Sequence, residues 1–156
     1  MSAAPEQQYP PMPEVLGGLV TYLSLEGASK ASDFYVKAFG AREVFRHPVD
    51  ESGRTMHIHL YVNGSSLMLS DSYPEHGCPA EKPQGYNLTL QVKDIDTWWQ
   101  RAVDAGATIV LPLQDMFWGA RYGQLRDPFG VLWSKNQQQR FSPDRAGCDL
   151  CARSQR

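Results

Sequence analysis

Two runs of alternating apolar and polar residues, "MHIHLYV" and "SSLMLSD", flank Asn63-Gly64. An Asn-Gly pair between such runs predicts a hairpin, because a type I′ turn needs positive φ at both central residues. With Val62 opposite Ser65, the pairs run outward as Leu60–Leu67, His59–Met68, Ile58–Leu69 and His57–Ser70. Side chains alternate across a strand. One face therefore carries Ile58, Leu60, Leu67 and Leu69, and is expected to pack against helices. The other carries His57, His59, Tyr61, Ser66, Met68 and Ser70, and is either a solvent face or a pocket lining.

The pattern around this hairpin occurs twice. "GLVTYLSLE" reads as a strand and "ASKASDFYVKAF" as a helix ended by Gly40. Ala31, Phe34, Tyr35, Ala38 and Phe39 fall at i, i+3, i+4, i+7 and i+8, one face of a helix. "YNLTLQV" is a second such strand, and Asp94 is a plausible N-cap. Ile95, Trp98, Trp99, Ala102 and Val103 repeat the stripe, and Gly106 ends it. "RDPFG" is a turn, with Asp, Pro and Gly placed for type I, and "VLWSKN" is a last strand. The spacing between copies is 67 residues at the strands, 64 at the helices and 66 at the turn glycines Gly64 and Gly130. The expectation is an α+β fold of two tandem βαβββ modules, about 15–75 and 85–137, with curved mixed sheets around a shared cleft. Alternation puts Leu19, Thr21, Leu23 and Leu25 on one side of the first strand, with Val20, Tyr22 and Ser24 on the other. Likewise Leu88, Leu90 and Val92 oppose Asn87, Thr89 and Gln91. Helices cover the leucine faces, so the opposite faces line a concave site.

Composition narrows the setting. An apolar fraction of 42% with 21% charged residues is that of an ordinary globular domain. The net charge of −2 gives the chain as a whole no pull toward nucleic acid or an anionic membrane. No apolar run approaches the ~20 residues of a membrane span. The N-terminus shows no secretory pattern, and three cysteines make no disulfide framework, so the cytoplasm is the expected location. Residues 1–14 read as a loose Pro- and Gln-rich arm, and residues 138–156 as a polar tail. Cys148 and Cys151 in that tail have CxxC spacing but no second ligand pair, and are read as incidental.

"ASDFYVKAFGA", the hairpin, and "MFWGARYGQLRDPFGVLWS" resemble the vicinal oxygen chelate superfamily of glyoxalase I, extradiol dioxygenases and antibiotic-resistance proteins, most of all its PhnB-like branch. The resemblance covers about residues 15–137. It implies a homodimer. It also implies divalent-metal ligands, His or Glu, on the first, fourth, fifth and eighth strands. Those points fall here on Val20, on Ser70 or Met68, on Asn87 and on Ser134. Valine cannot coordinate, and neutral Ser or Asn oxygens are poor ligands without carboxylates. The expectation is therefore no metal cofactor, and a small organic molecule bound in the cleft, as in a sequestering or resistance protein. Two alternatives stay open. One is a metal-dependent lyase, isomerase or dioxygenase with ligands displaced onto His57 and His59. The other is a structural or regulatory dimer whose cleft is filled by side chains.

The candidate lining consists of Val20, Tyr22, His57, His59, Tyr61, Met68, Ser70, Asn87, Trp118, Arg121 and Ser134. Tyr22, Tyr61 and Met68 make an adaptable wall for a flat or greasy ligand. Trp118 and Arg121, in "FWGARYG", are read as a rim able to pair an anionic group, or as a plug with Arg121 bridged to Asp127 or Asp71. His57 and His59 are read as pocket walls, structural histidines or displaced metal ligands.

Overall fold

A computed structural model of the chain describes residues 11–139. The first module runs β1 (Thr21–Leu25), α1 (Ala28–Phe39), β2 (Arg42–Arg46), β3 (Ile58–Val62) and β4 (Ser65–Asp71). After a short turn at Pro74–His76 comes the second: β5 (Leu88–Gln91), α2 (Ile95–Ala105), β6 (Thr108–Asp115), β7 (Ala120–Arg126) and β8 (Leu132–Gln138). Each module makes one mixed four-stranded sheet, ordered β1-β4-β3-β2 and β5-β8-β7-β6, and the sheets do not close on themselves. β1 is parallel to β4 and β5 to β8; the other neighbours are antiparallel. Among the described residues no helix is long and apolar enough to cross a membrane.

The hairpin has the expected register, Val62 opposite Ser65 and Ile58 opposite Leu69. Asn63 and Gly64 take φ of 47° and 81°, as a type I′ turn requires. Ile58, Leu60, Leu67 and Leu69 are buried beneath the helices. So are Ala31, Phe34, Tyr35, Ala38 and Phe39 of α1, and Ile95, Trp99 and Ala102 of α2. Leu19 departs from its expected burial: it precedes β1, is 96% exposed, and sits at the edge of a cavity between the modules.

The helix starts lie 67 residues apart, as the strands do, and not 64. Capping sets them. Asp94 caps α2 through Thr97 N. Gly27 offers no side chain, so Asp71 at the end of β4 accepts from Gly27 N and Ala28 N at 2.8 and 3.0 Å. Gln137, 66 positions on, reaches Ile95 N at 2.8 Å in the second module. The helices pack against each other, with Arg101 Nε donating to Lys37 O at 2.8 Å. Gly40, which ends α1 at φ 64°, lies where a Cβ would meet Arg101 Nη1 at 2.8 Å. Aromatic rings complete the junction: Trp133 of β8 lies 4.5 Å from Phe39 and 5.2 Å from Tyr35.

Candidate functional site

The polar face of the first sheet gathers four of the expected residues with a fifth. Register places Tyr22, Met68, His59 and Phe45 in one row across β1, β4, β3 and β2. His57 stands just ahead of β3, beside this row. Its ring centroid is 5.7 Å from Tyr22, 5.9 Å from Phe45 and 6.5 Å from His59. Tyr22 Oη is 3.1 Å from His57 Nδ1 and 3.3 Å from Met56 O. Tyr22 is 50% exposed, and His57, Met68 and Ser70 are half-buried. Burial, and then the charge of His47, holds the His57 imidazole below its ordinary pKa. Phe45 escapes a parity count because β2 shifts register between Glu43 and Phe45, a bulge that turns Phe45 onto the polar face.

The two histidines are not equivalent. His59 is 1% exposed. Its Nε2 lies 2.8 Å from Ser66 Oγ, which accepts from Leu16 N at 2.8 Å. Ser66 N donates to Leu16 O, and Tyr61 Oη donates to Glu14 O at 2.6 Å. Residues 14–16 are thus bonded to the polar side of the hairpin, engaging Tyr61 and the His59–Ser66 pair. His59 is a structural histidine, held below its ordinary pKa by burial first and then by His57.

The second sheet holds a separate group. Tyr122 Oη is 2.8 Å from Ser134 Oγ and accepts from Gln124 Nε2 at 3.0 Å. Trp118 lies 5.7 Å from Tyr122 and is 50% exposed, so it is no plug. Ser134 is fully buried. Arg121 is a correction. Tyr122 faces the polar side, so alternation turns Arg121 to the helix side. There it pairs with Asp96 at 3.0 Å and Asp115 at 3.4 Å, and not with Asp127 or Asp71. Asn87 lies with Ser66 and Thr89 on a cavity of about 540 Å³ that both modules line, where Asn63 Nδ2 donates to Gln91 O across the module boundary. Val20, half-buried, immediately precedes β1.

Val20 and Asn87 are equivalent positions of the two modules, as are Met68 and Ser134, whereas Ser70 corresponds to Asn136. None carries an imidazole or carboxylate. Among the described residues no three His, Cys, Asp or Glu side chains gather as a metal site needs. His59, buried and with Nε2 bonded to Ser66 Oγ, stands beside His57 with no third His, Cys, Asp or Glu gathered among the described residues. This donor set does not fit a divalent cation. Cys148 and Cys151 lie outside the described residues.

Tandem βαβββ modules, each with its helix on one sheet face and polar side chains on the other, define a class of two-module cleft proteins. The chain belongs to the glyoxalase/bleomycin resistance protein/dioxygenase superfamily, whose family model matches residues 23–134. An uncharacterized protein of Mycobacterium bovis is 42% identical over 125 residues, covering 76% of this chain and 82% of its own. The crystal structure of TioX from Micromonospora sp. ML1 superposes with a TM-score of 0.64 at 31% identity, covering 78% of this chain and 98% of TioX. A PhnB protein from Bacillus cereus superposes with a TM-score of 0.62 at 26% identity, covering 78% and 99%.

Proposed function

We propose that this protein binds a small organic molecule on its polar sheet faces, without a metal cofactor, and acts by sequestration in the cytoplasm as a homodimer. The observation that carries this reading is the half-open cluster of Tyr22, His57, Met68 and Ser70. It combines aromatic surface with unsaturated hydrogen-bonding capacity, on the face where the superfamily's metal points hold only neutral side chains. The inter-module cavity and the exposure of this cluster weigh against a cleft filled by side chains. Cys78, the described cysteine, is a free exposed thiol, which suits a reducing compartment. The exposed Phe117 and Trp118 suit a second copy, as superfamily membership does.

The test is a thermal-shift screen of planar small molecules, followed by titration of a hit against Ser70→Trp and Asn87→Trp. Filling one of these positions should weaken the hit at least about tenfold, roughly 1.4 kcal/mol. Unchanged affinity in both variants would place the ligand elsewhere.

A further inference from the structure

Tyr22 lies on β1 and His57 just ahead of β3, with β4 between the two strands, and the Tyr22 oxygen has two neighbours. His57 Nδ1 lies at 3.1 Å and Met56 O at 3.3 Å. A phenol carries one proton, and a backbone carbonyl can only accept. Both contacts become hydrogen bonds in one arrangement: Tyr22 donates to Met56 O and accepts from His57 Nδ1–H. That arrangement selects the Nδ1–H tautomer and leaves the Nε2 lone pair unused by the ring's partner. Among the described residues no hydrogen bond reaches Nε2. The ring is half-buried between Tyr22 and Phe45, and Met68 lies in the same row of the sheet. Burial, and then the charge of His47, disfavours the protonated imidazole. The strand positions on the polar face of this sheet include no carboxylate.

We infer that His57 Nε2 is the acceptor for the hydroxyl of a planar ligand, a phenol or enol, whose ring lies against Tyr22 and Phe45. Tyr22 is a positioning residue, acting through the tautomer it selects. The inference rests on the proposed small-molecule reading and names the chemistry of its ligand.

Two measurements test it. The first is the ¹⁵N NMR signature of the histidine rings at pH 7.5, assigned with His57→Phe. His57 should appear as the Nδ1–H tautomer, and Tyr22→Phe should shift it toward Nε2–H. An Nε2–H ring in the wild-type protein would overturn the inference, whatever binds. The second compares 2-naphthol with 2-methoxynaphthalene, which keeps the ring system and lacks the hydroxyl proton. Wild-type protein should prefer 2-naphthol at least about tenfold, and His57→Phe should bind the two alike. Equal binding of both by the wild type would overturn this inference and leave small-molecule binding standing. Binding of neither would overturn this inference, whereas a different hit in the thermal-shift screen would still sustain the broader reading.

Discussion

Asp127 looks, along the chain, like a turn residue and nothing more, and Gly130 N does close that turn on Asp127 O at 3.2 Å. Its carboxylate does more. Oδ1 accepts from Phe129 N and Val131 N, both at 2.9 Å, while Oδ2 accepts from Trp133 Nε1 at 2.9 Å and Tyr35 Oη at 2.6 Å. Tyr35 belongs to α1, so a residue of the second module anchors the helix of the first. Burial, then the charge of Asp127, pushes the Tyr35 phenol well above its usual pKa. Tyr35→Phe should cost about 1.5–3 kcal/mol in denaturant unfolding, the range for a hydrogen bond to a charged group. A cost under about 0.5 kcal/mol would mean that the other three donors satisfy Asp127. Turn chemistry is local and can be read from four adjacent residues; a partner 92 positions away cannot. The histidines make the same point. Their spacing marked both, but only the path of residues 14–16 separates buried His59 from half-open His57.

At the scale of elements, the hairpin and its faces were legible because Asn-Gly and strict alternation specify register. β2 was not, since its bulge breaks the alternation that a parity count assumes. The helices were legible as stripes but not in their alignment. A stripe at i, i+3 and i+4 matches its copy at several offsets, and capping by Asp71 and Asp94 decides among them. β8 holds a further departure. Lys135 is fully buried on the helix face, at the position that Leu69 occupies in the first module. Its Nζ donates to Trp98 O at 2.8 Å and stands 4.6 Å from the Phe39 ring centroid. Burial, with a smaller push from Arg101, lowers its pKa to about 7. Between pH 7 and its ordinary value near 10.5, the unfolded chain holds a proton that the folded chain does not. Stability conferred through this group therefore rises with pH across that window. Wild-type stability should gain up to about 1.4 kcal/mol per pH unit there relative to Lys135→Met, one proton's worth. Parallel curves for the two proteins would show that Lys135 keeps its charge in the fold.

For the whole molecule, a single chain presents two polar faces that it does not itself close. Phe117 is 97% exposed, and Ile109 and Val110 of the edge strand β6 are nearly half exposed. Burying such groups against a second copy stabilises by about 25 cal/mol per Å² of apolar surface, before the cost of association. Light scattering should give roughly twice the 17.5 kDa chain mass, and Phe117→Asp with Trp118→Asp should shift it toward one chain. A wild-type mass of one chain would contradict the homodimer.

In the proposed function the cleft of this superfamily member binds its ligand without a metal. Metal content decides this, measured by mass spectrometry on untagged protein purified without chelators. The protein should carry under about 0.1 divalent ion per chain, since no ligand set of adequate strength is assembled among the described residues. Close to one ion per chain, lost on replacing His57 and His59 together, would contradict it and make "MHIHL" the strand that carries the chemistry.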